Sequence, residues 1–284
     1  MKVILVPDAS TFLTRSASFR SLQPYLTNVM GSVATSVASG HGTYETMSWW
    51  IIEDDERNVR GMMMRTAPHK LVLSPMPNEA LVPVVDAVLE RDPEIPGVSG
   101  SRDLAQPFLT RFIQVSGRAL RVEVERAILV YVLGTLVDPA PSSGYWRTGE
   151  QDDFELLLGW WNGFADDTGV ERHGLEESVR TALSNGRIYL WIDANRPVCA
   201  VAHSLVVATP SGSVVRIGPV YTPPGERRRG YAGQLTAAVS SRLLQRGHGL
   251  MLFTDVANKT SNGVYTRLGY QKVDELVECA LLPV

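Results

Sequence analysis

Three consecutive arginines at residues 227–229 stand directly before a predicted helix in the second half of the chain. The preceding stretch, 214–221, predicts a strand, and two prolines end it because proline cannot continue a β-ladder. The helix predicted over 231–245 begins beside Gly230 and Ala232, and its first backbone N–H groups have no helical partner. These groups and the positive end of the helix dipole favour a phosphate, which small side chains allow to approach closely. A solvated basic turn with an ordinary glycine at the helix start is the alternative interpretation.

The elements that must position this turn follow from the apolar patterns. A stretch rich in Pro, Ser and Gly after Asp138 predicts a linker over 139–148 between domains at 1–138 and 149–284. Both halves show much the same order of predicted helices and strands, which indicates an internal duplication. The first half includes one helical pattern over 18–37, and the second half ends with a predicted strand.

The composition excludes several classes of protein. The 284 residues include 27 basic and 30 acidic ones and are 44% hydrophobic, so we expect a folded protein without a nucleic-acid partner. The longest apolar run is about half of a bilayer span, and the first residues do not form a signal peptide, so we expect a cytoplasmic protein without a membrane anchor. The two cysteines and five histidines lack metal-ligand spacing, so no metal is expected. Cys199 reads as a small buried hydrophobe.

Two patterns together resemble a known family. Residues 227–232 have the form Arg-x-x-Gly-x-Ala, and residues 258–270 contain Asn, Tyr and a final Leu-Gly-Tyr in that order. In order and spacing they resemble the GNAT acyltransferases (Gcn5-related N-acetyltransferases), over roughly residues 150 to 281. The resemblance implies an α/β fold of two GNAT-like domains. Each would be a mostly antiparallel mixed sheet with a splayed parallel pair, flanked by helices.

The resemblance also implies acetyl-CoA as cosubstrate and a role for particular residues. The cofactor-binding residues would be Val220, Tyr221, Thr222, Arg227, Arg228, Arg229, Gly230, Tyr231, Ala232, Asn258 and Ser261. Pro219 predicts a bulge or edge where the strands splay. Tyr265 would be the general acid that protonates the departing thiolate, since a phenol is neutral at pH 7 and can donate. A core aromatic is the alternative for Tyr265.

The base that deprotonates the attacking amine stays open. Glu226 lies too close to the expected phosphates. His203 lies on a predicted strand and could face the cleft, although a core histidine is the favoured interpretation. Asp255 follows a strand and is a candidate for orienting substrate or water, and a water chain could replace any single base.

The first half lacks the features of the phosphate turn. At the equivalent place, residues 73–79 contain no arginine and no glycine, and Glu79 stands at the start of a helix for which Asn78 is the predicted N-cap. We expect a degenerate GNAT-like domain that binds no CoA and forms one wall of the acceptor cleft. Trp49 or Trp50 would line that cleft, although on a strand the two point to opposite faces.

These observations favour an acetyl-CoA-dependent N-acyltransferase that acts on a primary amine of a small molecule by direct attack. The alternatives are a CoA-binding sensor without activity, a protein lysine or N-terminal acetyltransferase, and a structural interaction module. The sequence leaves the acceptor, other acyl groups and the oligomeric state open.

Overall fold

The computed structural model describes residues 1–42 and 44–284. The strands are β1 Lys2–Val6, β2 Met47–Glu53, β3 Val59–Thr66, β4 Leu71–Leu73, β5 Gly97–Ser101, β6 Leu120–Leu133, β7 Tyr145–Thr148, β8 Ile188–Asp193, β9 Arg196–His203, β10 Val207–Thr209, β11 Gly212–Tyr221, β12 Gly249–Asp255 and β13 Tyr270–Pro283. The helices are α1 Ala9–Arg15, α2 Ala17–Leu22, α3 Asn28–Ala38, α4 Leu81–Arg91, α5 Arg102–Ser116, α6 Phe154–Thr168, α7 Leu175–Ser184, α8 Tyr231–Leu244 and α9 Lys259–Arg267.

The chain divides into two compact units. Unit 1 comprises Met1–Val130, Val207–Ser213 and Val273–Val284, and unit 2 comprises Tyr131–Val206 and Val214–Lys272. This division differs from the predicted domains because the end of the chain belongs to unit 1, where β13 pairs with β5. The last four residues of the predicted linker 139–148 form β7 instead, since their backbone groups pair with β8.

Unit 1 has a mixed sheet in the strand order β1-β2-β3-β4-β5-β13-β6. Strands β4 and β5 are parallel, and β1 to β4 pair antiparallel with their neighbours. Trp49 packs with residues of α1 and α3 on one face, and Trp50 packs with residues of α4 and α5 on the other. Both side chains are at most 3% exposed. The prediction that one of them lines a cleft was therefore wrong, because helices cover both faces.

Unit 2 has strands in the order β12-β11-β9-β8-β7, with β11 and β12 parallel and the other pairs antiparallel. Residues of α6 and α7, such as Trp161 and Val179, pack on the sheet beside Leu190 and Ala200. Helix α8 contacts β8 and β9. The predicted fold class, a mixed α/β fold with one parallel pair in each half, is confirmed.

Two local predictions in the first half were wrong. The pattern over 18–37 forms two helices, because α2 ends at Leu22 and α3 begins at Asn28 with a proline between them. Asn78 is not an N-cap but the first residue of a 3₁₀ turn, Asn78–Ala80, that runs into α4. No helix among residues 1–42 and 44–284 is long and apolar enough to cross a membrane.

Candidate active site

The parallel strands β11 and β12 part before either of them ends. Their pairing runs from Val214–Gly249 to Ile217–Leu252, yet β11 continues for four residues and β12 for three. The register of β11 against β9 shifts between Ile217 and Val220, and the Gly218–Pro219 peptide is cis. The bulge predicted at Pro219 is thus confirmed. An added Cβ on Gly218 would meet nothing within 4 Å. The side of β11 toward which a side chain at position 218 would point is therefore open.

The turn between β11 and α8 presents a helix start without a side-chain cap. A 3₁₀ turn, Pro224–Glu226, is followed by residues 227–230 and then by α8, whose N-cap is Gly230. Arg228 and Gly230 have φ of 66° and 84°, in the left-handed region. These two residues turn the chain into α8, whose first N–H groups have no side-chain cap and could serve an anion.

Two of the three arginine side chains of this turn form ion pairs within the protein. Arg227 donates from Nε to the Thr222 carbonyl oxygen at 2.9 Å and from Nη2 to Asp167 Oδ2. Arg229 lies 3.2 Å from a carboxylate oxygen of Glu226. The backbone N–H groups and the exposed Arg228 side chain are therefore the candidate phosphate donors of the turn.

Glu226 and Tyr231 are also engaged by neighbours. The Glu226 carboxylate accepts from Arg196 at 2.6 Å in addition to its contact with Arg229, so it is paired with two cations. The buried Tyr231 hydroxyl donates to Asp193 Oδ2, a bond that lowers the pKa of that carboxyl group. The side chain of Tyr231 thus links the start of α8 to Asp193.

The polar residues after β12 build the start of α9. Asn258 is the N-cap and accepts from the Ser261 N–H at 3.0 Å. Asp255 Oδ1 accepts from the Ala257 N–H at 2.7 Å. Asn262, which the sequence analysis missed, donates to the carbonyl oxygen of Asp255 at 3.2 Å. The predicted residues Asp255, Asn258 and Ser261 therefore lie in one hydrogen-bonded loop at the end of β12.

Tyr265 lies on α9 with only 8% of its side chain exposed. Burial raises the pKa of its hydroxyl, with smaller contributions from Tyr270 and Cys199. Cys199 is fully buried, as predicted, and burial raises the pKa of its thiol to about 12. The Thr222 hydroxyl donates to Cys199 Sγ at 3.3 Å. Because its pKa is raised, the Tyr265 hydroxyl is a neutral donor at pH 7.

His203 faces the interior of unit 2. It is 8% exposed, and its Nδ1 lies 2.8 Å from the Ser204 carbonyl oxygen. Burial lowers the pKa of the imidazole to about 4. A buried imidazole that is neutral across the physiological pH range agrees with the interpretation as a core histidine.

A family model matches the part of the chain that contains these residues. Residues 204–278 match the family model described as FR47-like protein, a range that includes β11, the turn, α8 and α9. No curated protein matches the chain. Among residues 1–42 and 44–284, no group of three His, Cys, Asp or Glu side chains could hold a metal ion.

Solved structures match the chain over nearly its whole length. An acetyltransferase of the GNAT family from Colwellia psychrerythraea has 10% identity and a TM-score of 0.60, covering 99% of this chain and 100% of that one. A GCN5-related N-acetyltransferase from Sphaerobacter thermophilus has 13% identity and a TM-score of 0.62, covering 99% and 97%. A tandem GNAT protein from the clavulanic acid biosynthesis pathway has 12% identity and a TM-score of 0.58, covering 99% and 98%.

At these identities the likeness concerns the fold. It confirms the resemblance to the GNAT family at that level. The chain thus has the fold of the GNAT acetyltransferases, and its residues 204–278 form an FR47-like segment.

Proposed function

We propose that the chain is an N-acyltransferase that uses acetyl-CoA as cosubstrate and acetylates the primary amine of a small molecule. The observation that carries this proposal is the parting of β11 and β12 after Ile217, immediately before the turn that leads into α8. Acetyl-CoA has a pyrophosphate at one end of an extended arm that contains amide groups. Such an arm fits along a free strand edge, and the pyrophosphate fits a helix start rich in N–H groups.

Different residues bind different parts of acetyl-CoA in this proposal. The backbone of 228–232 holds the pyrophosphate, including Gly230, where an added Cβ would have no neighbour closer than 3.8 Å. Val220, Tyr221 and Thr222 lie alongside the pantetheine arm. Asn258 Nδ2 and the Ser261 hydroxyl, at the start of α9, contact the cosubstrate from the side of β12.

The reaction needs a proton donor and a site for the oxyanion. The Tyr265 hydroxyl donates a proton to the departing thiolate, since its raised pKa keeps it protonated. A backbone N–H of Val220 or Tyr221 stabilises the tetrahedral oxyanion, because the strand edge there is not paired with β12. Asp255, at the end of β12, orients the amine or a water that accepts its proton.

The first half of the chain contributes no second cosubstrate site in this proposal. Its strand-to-helix segment has Glu79 in the first turn of the helical region, where an anion would be repelled. We therefore propose one acetyl-CoA for each chain, bound in the second half.

Thiol release from acetyl-CoA in the presence of a panel of amines tests the proposal. We expect saturable release with at least one small primary amine, and acetyl-CoA should raise the melting temperature, by mass action on the folded state. Binding of CoA without release with any amine or peptide would favour a sensor and contradict a transferase. Release only with peptides would replace the small acceptor by a protein one.

A further inference from the structure

One face of α6 carries three residues that point at the proposed cosubstrate segment. Trp160, Gly163 and Asp167 are spaced by three and four residues, which places them on one side of the helix. The rings of Trp160 and Tyr221 are 6.2 Å apart. An ideal Cβ on Gly163 would lie 2.4 Å from the hydroxyl oxygen of Tyr221. The hydroxyl of Tyr221 thus occupies the space that any side chain at position 163 would need.

The same face also reaches the start of the phosphate turn. Asp167 pairs with Arg227, whose Nε donates to the Thr222 carbonyl oxygen at 2.9 Å. The guanidinium of Arg227 lies 5.8 Å from the centre of the Tyr221 ring. Residues 221 and 227 lie at the two ends of the chain segment that leads from the end of β11 to the phosphate turn. This segment is called the passage below. A single helix face therefore holds both ends of that passage.

Side-chain contacts hold the shape of this passage, among them the ion pairs of Glu226 with Arg196 and Arg229. Residues 222–230 lie outside the β-ladder, and Arg228 adopts a left-handed conformation that is costly for any residue except glycine. A binding surface that is held in its bound conformation loses less freedom on binding and so binds more tightly. The contacts from α6 supply such preorganisation.

We propose that Gly163 and Asp167 are positioning residues for acetyl-CoA, acting through Tyr221 and Arg227. Gly163 sets how deeply the Tyr221 side chain seats, and Asp167 fixes the Arg227 guanidinium on the Thr222 carbonyl group. Arg227 then acts as a link within the protein and not as a phosphate ligand. This inference rests on the function proposed above.

Gly163→Ala tests the first half of the inference by calorimetric titration with CoA. We expect the Kd to rise about tenfold, because the added methyl group displaces Tyr221. The stoichiometry reports the folded fraction, so the change must appear in Kd at unchanged stoichiometry. Gly159→Ala is the matched control, since a Cβ there meets nothing within 4 Å and the Kd should not change.

A second substitution separates positioning from general damage. In Gly163→Ala combined with Tyr221→Phe, the nearest atom to the new Cβ is the ring carbon Cζ at 3.0 Å instead of the hydroxyl oxygen. The clash is then relieved in part, so we expect the double variant to bind CoA more tightly than Gly163→Ala alone. A double variant that binds no better would contradict the role of Gly163.

Asp167→Asn tests the second half. We expect a three- to fivefold rise in the Kd for CoA and in the KM for acetyl-CoA at unchanged KM for the amine, since an exposed ion pair contributes little. Asp166→Asn is the control, because Asp166 pairs with Arg172 instead. Unchanged or tighter binding in Asp167→Asn would show that Arg227 is not held for this purpose. A wild-type chain that binds no CoA would overturn the proposed function itself, which is a different result.

Discussion

Each unit contains a passage, here the segment that leads from a parallel strand into a helix: β4 to α4 in unit 1 and β11 to α8 in unit 2. The two passages differ in how the helix begins. In unit 1, β4 is followed by the 3₁₀ turn Asn78–Ala80, and Ala80 already has the helical φ of −78° at the start of α4. In unit 2, β11 is followed by the 3₁₀ turn Pro224–Glu226, and four further residues precede α8. Two of these four have positive φ. The second passage therefore enters its helix through a left-handed turn, and the first enters it directly from the 3₁₀ turn.

The packing around the two passages also differs, and it is tighter in unit 1 than in unit 2. In unit 1, an added Cβ on Gly61 would lie 2.7 Å from Met76 Cβ, and one on Gly100 would lie 3.2 Å from Leu73 Cβ. Leu73 of β4 and Met76 therefore lie close against the neighbouring strands β5 and β3, respectively. In unit 2, the space beside Gly218 is open. Under the proposed function, this difference means that a cosubstrate needs a left-handed turn and parted strands in addition to a proline-rich turn after a parallel strand.

The largest expected effect concerns α5 and α9. These helices follow β5 and β12, which are the second strands of the parallel pairs in units 1 and 2. Helix α9 carries Tyr265, whereas α5 of unit 1 has buried phenylalanines at Phe108 and Phe112 and no tyrosine. We expect Tyr265→Phe to lower kcat by roughly a thousandfold at unchanged Kd for CoA, because a proton donor is lost.

The pH dependence of Tyr265 follows from its burial. Its raised pKa keeps the hydroxyl protonated, so this group causes no loss of rate as the pH rises to 10. Tyr145→Phe, which changes an exposed tyrosine, is the control for Tyr265→Phe, and its kcat should equal that of the wild type. A Tyr265→Phe variant with the kcat of the wild type would remove the catalytic difference between the two helices.

The next effect is on stability, since the two units bury different titratable groups. Unit 1 buries Arg65 with Asp92 at 3.0 Å, whereas unit 2 buries His203 as a neutral imidazole. The pKa of His203 is lowered from 6.5 to about 4. Between these values the unfolded chain binds the proton and the folded chain does not, so stability is complete above pH 6.5 and falls toward pH 4.

The expected loss of unfolding free energy from this group is about 3 kcal/mol across that window. Urea titrations at a series of pH values would measure it. We expect His203→Gln to flatten the slope between pH 6.5 and 4, whatever its effect on stability at pH 7. An equally steep slope in the variant would assign the acid sensitivity to other groups.

A smaller effect comes from giving the unit 2 helix start the charge of its unit 1 counterpart. Ala232→Glu places a carboxylate in the first turn of α8, where it favours the helix but repels a pyrophosphate. We expect the Kd for CoA to rise about thirtyfold, or about 2 kcal/mol. Ala232→Gln is the control of equal size, and it should lose much less. Equal losses in the two variants would mean that size, and not charge, distinguishes the helix starts.

The smallest effect concerns the left-handed turn. Arg228 has a φ of 66°, which glycine adopts without strain. We expect Arg228→Gly to raise the unfolding free energy by about 0.5 kcal/mol, since relief of strain exceeds the entropy that glycine adds to the unfolded chain. The matched variant Arg229→Gly lacks that relief and should be destabilising. Urea titration of both variants at pH 7 measures the difference, and equal destabilisation would show that position 228 is not strained.

The sequence predicted the local parts of this site well. Proline, glycine and helix-start signals are properties of neighbouring residues, so the bulge at Pro219, the turn at 227–230 and the start of α8 could be read from the order of residues. The α/β fold and its parallel pairs followed from the resemblance in the second half and from the similar order of elements in the first.

The remaining features depend on contacts between distant residues. Nothing near Arg227 in the chain shows that Asp167 would pair with it, and nothing near Gly163 shows that Tyr221 would cover it. Burial of both Trp49 and Trp50 required helices on both faces of one sheet. The return of β13 to unit 1 depends on strand pairing across almost two hundred residues, which no local pattern encodes.

The stoichiometry of CoA binding tests the central claim most directly. The comparison of the two passages predicts one CoA for each chain in a calorimetric titration. It also predicts that Ala232→Glu weakens this single site, while Glu79→Gln neither creates nor alters one. Two sites for each chain, or a single site whose affinity responds to Glu79→Gln and not to Ala232→Glu, would contradict the account.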